Sequence, residues 1–294
     1  MNLRVNQRRV AQGLCSLALF APPVALGTEA PAAALLGELP RGAVSWFEVG
    51  DVGAEVCRTH LFSPTAISAR MPPGYRLATL SDKASTPAVA AIIRERPEIS
   101  GYARGAFCFL ESGVYTVNGR PLYPGRRGKV AFLWADMVPE PAAAKDERFR
   151  GDLRRVQLFW VYDNAGVDRK LAQSATPDAL FGDIVMEKRG ESWLVAIKGA
   201  DSSLTAKVMP TTERKALVYP LPAFETLPLA QSADHFSVVT FAGHHDRRAT
   251  GHWSATGDAP WARIFADGMS ADGGSFIQDG WAARVGIYRY KQKP

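Results

Sequence analysis

Short runs rich in aromatic and β-branched residues recur along this chain, and turn-forming residues cut them apart. Twenty prolines and 26 glycines among 294 residues leave room for strands and turns but little for long helices. Strand-type segments run from Ala54 to Phe62 (AEVCRTHLF), Gly105 to Val117 (GAFCFLESGVYTV) and Lys129 to Met137 (KVAFLWADM). In Arg154 to Tyr162 (RRVQLFWVY) the alternation places Val156, Leu158, Trp160 and Tyr162 on one face. Ser192 to Lys198 and Ser203 to Met209 form a hairpin pattern turning at Gly199-Ala200-Asp201. His235 to Ala242 and Ala282 to Tyr290 close the series. Helices are expected over Thr86 to Glu95, with Pro87 in the first turn and Pro97 as a stop, and over Pro260 to Asp267.

About nine or ten strands with one or two short helices predict a mainly β (α+β) chain. The expected form is a single antiparallel β-barrel-like domain with an interior pocket, a natural site for a small ligand. Hydrophobic residues at 47% and charged residues at 22% are ordinary for a globular chain. No apolar run is long enough to span a bilayer, no internal repeat is present, and no break in composition marks a second domain.

The first 27 residues read as an export signal. Arg4, Arg8 and Arg9 lead an apolar stretch from Val10 to Leu26, and Ala25-Leu26-Gly27 supplies small residues two apart for cleavage. The Arg8-Arg9 pair raises the twin-arginine route beside the general secretion route. Residues 28–42, rich in Ala and Pro, form a flexible lead-in, and 43–294 form the β domain. A secreted or periplasmic location is therefore expected. Removing the signal lowers the formal charge from +6 to +3, because it carries three arginines and no acid. The remaining basic pairs, Arg126-Arg127, Arg154-Arg155 and Arg247-Arg248, are scattered, so a nucleic-acid partner is not expected. Cys57 and Cys108 remain, and two cysteines in an oxidising compartment are expected to pair.

Gly-rich phosphate loops, HExxH, CxxC and GxSxG are all absent, and no cofactor is expected. Three groups carry candidate chemistry. His244, His245 and His252 offer imidazoles, but neighbours on a strand face opposite sides, so at most one of the first two could join His252 at a metal. The plainer reading of that stretch is a polar turn between strands. Glu111 and Asp163 are carboxylates in strand-like sequence. Glu111 either points into an apolar interior, where its pKa would rise toward neutrality, or faces solvent at the start of a turn at Ser112-Gly113. Arg58 and His60 lie opposite Cys57 and Thr59 if the alternation is unbroken, and an inward Arg would bind a carboxylate. Tyr115 and Tyr162 are further candidates for lining a pocket.

Taken in order, several segments resemble the acetoacetate decarboxylase family: Arg70-Met71-Pro72-Pro73-Gly74-Tyr75, Cys108 to Tyr115 (CFLESGVY), Gln157 to Leu171 (QLFWVYDNAGVDRKL) and Phe276 to Tyr290 (FIQDGWAARVGIYRY). These short patches span most of residues 45 to 290. The resemblance implies a cone-shaped β-barrel with an interior pocket, an oligomer, and Glu111 as an active-site residue. It also implies a lysine that forms a Schiff base with a β-keto acid beside a second cation. That lysine pair, in a Tyr-Pro-Lys-Lys context, is missing: residues 172–179 read AQSATPDA. Lys170 lies nearby with only Arg169 beside it. The expectation is therefore a small-molecule-binding barrel, taking a keto acid or an apolar carboxylate, without imine decarboxylation. The alternative is a lyase or hydratase acting on a keto acid or related carbonyl compound, with Glu111 as acid or base and Lys170 as a partner.

Overall fold

The computed structural model describes residues 36–140, 154–176, 178–216, 223–228, 235–266 and 269–289. The expected signal segment and most of the expected lead-in lie outside these residues. In chain order the strands begin with β1 (Ser45–Phe62), β2 (Tyr75–Leu77), β3 (Ala103–Val117), β4 (Arg120–Pro121) and β5 (Gly128–Pro139). They continue with β6 (Arg154–Asp163), β7 (Leu180–Arg189), β8 (Ser192–Lys198), β9 (Ser203–Pro210) and β10 (Lys215–Ala216). The last five are β11 (Ala223–Pro228), β12 (His235–Ala242), β13 (His245–Thr256), β14 (Met269–Asp279) and β15 (Ala282–Arg289). The helices are α1 (Pro87–Glu95), α2 (Arg169–Ala175) and α3 (Pro260–Ala266).

Nine strands close a barrel in the order β1-β14-β13-β9-β8-β7-β6-β5-β3 and back to β1. Neighbours are antiparallel except β6 and β7, which run parallel across the connection that carries α2. The long first strand changes neighbour along its length. Its Glu55 to Leu61 half pairs with β14, its Ser45 to Val49 half pairs with β15, and β3 runs along its other edge throughout. A register shift between Val52 and Ala54 lets the strand change partners. β15, β12 and β11 extend outward as a second layer. The β3–β4 hairpin turns on Asn118-Gly119, both at positive φ, the residue pair that a two-residue hairpin turn demands.

Alternation sorts the side chains into two apolar clusters. The inner one draws on all nine barrel strands: Val56, Phe107, Leu133, Val161, Ile184, Val195, Leu204, Trp253 and Ile277 are examples. Helix α3 adds Trp261, Ile264 and Phe265 to it, and Phe265 stacks on Trp253 at 5.7 Å. The outer cluster packs Phe47, Cys108, Leu110, Tyr115, Trp160 and Tyr162 beneath α2 and β15. Apolar side chains thus make up most of the barrel's inner face.

The single face expected on Arg154 to Tyr162 is split. Val156 and Leu158 point into the barrel, whereas Trp160 and Tyr162 point out. A bulge causes this: Gln157 pairs with Trp134 and Phe159 with Leu133, so Leu158 is the extra residue and every later side chain changes face. Arg70 donates to the Leu158 carbonyl at 3.3 Å and lies over the Phe159 ring.

Candidate functional site

Strand β1 carries the most suggestive pair. Its alternation holds from Val56 to Phe62, so Arg58 and His60 share the inner face with Val56 and Phe62, and Cys57 faces the outer layer. The Arg58 guanidinium carbon lies 5.7 Å from the centre of the Phe265 ring, within cation–π range. Burial lowers the Arg58 pKa from the usual guanidinium value. Among the described residues no carboxylate is paired with it, yet the side chain keeps partial exposure. His60 is 1% exposed. Burial, and then the Arg58 cation, hold its pKa down to about 4. Its Nε2 lies 2.7 Å from the Ile264 carbonyl oxygen, and its ring sits 4.6 Å from that of Phe265. The other ring nitrogen, Nδ1, is buried with no partner among the described residues.

The remaining sequence candidates are dispersed. Glu111 follows Phe107 and Phe109 on the inner face of β3 but stands at the barrel's rim, its side chain 21% exposed. Arg127 Nε donates to its carboxylate at 2.9 Å, and Arg127 Nη1 reaches Asp51 at 2.7 Å. Glu111 is therefore neither enclosed by apolar residues nor free at a turn; it is one arm of a rim ion cluster. Four strand residues, about 13 Å, separate it from Phe107, which pairs with Arg58. Lys129, directly opposite Glu111 on β5, is the inner-face lysine of this rim. Asp163 is held by Arg126 at 2.6 Å.

Tyr115 and Tyr162 lie in the outer cluster and not in the barrel; the β6 bulge is what turns Tyr162 outward. Their hydroxyls are 3.5 Å apart, and Tyr162 continues to Thr176 Oγ1 at 2.9 Å. Burial pushes the Tyr162 pKa up to about 12. Lys170 is exposed on α2, outside the barrel and away from Arg58. A small groove between β6, α2 and β15, lined by Gln157, Trp160, Thr176 and Asp178, has a volume of about 30 Å³, room for one or two waters.

The histidines do not converge. His244 lies in the short connection after β12, as a turn between strands would have it, but the stretch from His245 on is strand β13; His245 and His252 stand seven residues apart on it, roughly 23 Å of strand. His252 is exposed beside Lys207. His245 instead joins Arg214 and Arg247 around Asp279 at the rim, with Arg214 Nη2 at 3.0 Å from His245 Nδ1. The pairing of His244 with His252 at a metal is thus overturned by distance. Cys57 and Cys108 form the expected disulfide, directly opposite each other on β1 and β3. Glu55 Oε1 lies 3.5 Å from Cys57 Sγ, a contact without a hydrogen bond, since a bridged sulfur carries no proton. Burial raises the Glu55 pKa to about 8, and nearby Asp246 adds to the shift. Glu55 and the two cysteines are the one cluster of metal-ligand type among the described residues, and the bridge occupies both sulfurs.

Sequence reasoning missed Phe265, whose helix showed no sign of entering the barrel, and Arg127, which reads as half of an isolated basic pair. Strand register across β3 and β5 brings Arg127 to Glu111, and no local pattern in the sequence encodes that.

No family model matches this chain, and no curated protein sequence matches it either. Solved structures are similar to it. An acetoacetate decarboxylase-like enzyme from Sphingomonas wittichii RW1 is 10% identical over 86% of this chain and 95% of that one, with a TM-score of 0.48. The acetoacetate decarboxylase of Legionella pneumophila is 9% identical, covering 93% of this chain and 92% of that chain, with a TM-score of 0.45. The enduracididine biosynthesis enzyme MppR, in its complex with pyruvate, is 11% identical over 83% of this chain and 89% of that chain, with a TM-score of 0.41. Among the described residues no helix is long and apolar enough to cross a membrane.

Proposed function

We propose that this chain is an exported β-barrel that binds a small carboxylate at Arg58 and does not form an imine with it. One observation carries the reading: a guanidinium faces the inside of the barrel, against Phe265, with no acidic partner among the described residues. A cation taken partly out of water without a counter-ion is stabilised by any anion that reaches it, and the planar fork of Arg suits a carboxylate. Lys129, on the inner face of β5, lies at the level of Glu111 and not of Arg58, so it does not stand beside a carboxylate held there. Engagement of Glu111 by Arg127 likewise weighs against the lyase reading with Glu111 as acid or base. Export is supported by the leader pattern in the sequence and by the Cys57–Cys108 bridge, a bond that persists in oxidising compartments.

Calorimetric titration with acetoacetate, pyruvate and short apolar carboxylates tests the binding. At least one is expected to bind, and Arg58→Met to abolish it. Binding that survives in the variant would overturn the assignment of Arg58. Treatment with borohydride in the presence of acetoacetate is expected to leave the mass unchanged; a stable mass gain on a lysine would replace this reading with a Schiff-base enzyme.

A further inference from the structure

Arg58 and His60 stand two residues apart on one face of β1, and their hydrogen-bonding capacities differ in a way that limits what can sit between them. The Ile264 carbonyl can only accept, so His60 Nε2, 2.7 Å from it, carries the ring hydrogen. That fixes the tautomer and leaves Nδ1 as a bare lone pair. With its pKa near 4, the ring stays neutral at ordinary pH. Nδ1 therefore accepts and does not donate, and it is buried without a partner among the described residues. Arg58 has the opposite character, with donors only.

A molecule that satisfies both groups must bring a negatively charged acceptor to Arg58 and a donor to His60. A keto acid meets the first need and fails the second, because its ketone oxygen accepts and would leave Nδ1 unpaired. An amino acid supplies a donor, but as an ammonium that adds a second cation beside Arg58 where no described residue supplies an acid. A neutral hydroxyl meets the second need without that repulsion. The Phe265 ring, lying against both the His60 ring and the Arg58 guanidinium, supplies an apolar wall for the carbon skeleton.

We propose that Arg58 and His60 together select a small hydroxycarboxylate, its carboxylate on the Arg58 guanidinium and its hydroxyl donating to His60 Nδ1. This inference rests on the carboxylate-binding reading above. The test uses matched pairs that differ only in C–OH against C=O, lactate with pyruvate and 3-hydroxybutyrate with acetoacetate, together with butyrate, which has neither group. In the wild-type protein each hydroxy acid is expected to bind at least about tenfold more tightly than its keto partner, since only the hydroxyl pairs the buried nitrogen. In His60→Phe the two members of each pair are expected to bind alike. Keto acids that bind the wild-type protein as well as or better than the hydroxy acids would overturn the selection and leave carboxylate binding standing. A preference for the hydroxy acids that survives in His60→Phe would also overturn it. If none of the five compounds binds, the carboxylate reading itself fails. The wild-type comparison decides even if the variant does not fold.

Discussion

Two polar groupings, one inside the barrel and one outside it, were both candidates for a ligand site, and their hydrogen bonding separates them. In the outer layer, Tyr115, Tyr162 and Thr176 form a chain that ends on the Ala172 carbonyl, so each hydroxyl is answered by its neighbours. On the inner face, among the described residues, Arg58 has an aromatic ring but no acid, and one nitrogen of His60 has no partner. A closed network stabilises and orients the groups that make it. An open pair, held in a place where unmet polar atoms cost free energy, is where a ligand would add the missing contacts. The outer layer should therefore respond to mutation in stability and the inner pair in binding.

The largest expected effect belongs to the outer face. Glu55 is buried there with its pKa raised from 4.5 to about 8. Because the folded value stands above the free one, its neutral form contributes fully below about pH 4.5, and the contribution is lost as pH rises through about 8. The loss should reach about 4 to 5 kcal/mol. Denaturant unfolding at pH 4.5 and pH 9 should show a drop of that order, and Glu55→Gln should remove most of it. A drop of the same size in the Gln variant would mean that another group titrates. Next in size is the Cys57–Cys108 bridge, which ties β1 to β3 across a separation of 51 residues. Replacing both cysteines with serine should lower stability by about 3 to 4 kcal/mol through the unfolded chain. Carboxylate affinity should hold in both variants; a fall would tie the two regions together and weaken the contrast.

A smaller effect is expected at Tyr162. Its hydroxyl bonds to Thr176 and approaches Tyr115, so Tyr162→Phe should cost about 1 to 2 kcal/mol with no change in carboxylate binding. Lost binding at wild-type stability would move the ligand site to the outer layer.

How much of this could be read from sequence depended on where each strand's signal lay. β8 and β12 match the expected Ser192 to Lys198 and His235 to Ala242 residue for residue, because apolar runs bounded by turn residues mark them. β13 and β14 were not legible. Along β13 only Ala249 and Trp253 are buried apolar residues, so HDRRATGHWSAT looks like a loop although both its edges are paired. The first nine residues of β1 were hidden by Gly50, Asp51 and Gly53, which break the alternation where the strand changes partners. Helix α2 did carry a sign, Asp168, whose carboxylate accepts from Lys170 N and Leu171 N. The inward pair Arg58 and His60 was legible because β1 keeps its register with β3 there, the irregularity between the two residues lying in the pairing with β14. Tyr162 was not, because one extra residue at Leu158 reverses the face of everything after it.

The smallest stability effect should come from Arg58, and that smallness is itself informative. Removing one partner of a buried ion pair strands the other charge and costs several kcal/mol. Arg58 has no such partner among the described residues, and it lies against the Phe265 ring. Arg58→Met keeps most of the apolar stem, loses a cation–π contact and relieves the desolvation that lowers the arginine's pKa. These terms oppose each other at about 1 kcal/mol each, so the midpoint of unfolding should hardly move, while carboxylate binding is lost. A variant destabilised by about 2 kcal/mol or more would instead make Arg58 a structural cation with a partner it needs for folding. The inner face would then be as closed as the outer one, and the contrast between them would disappear.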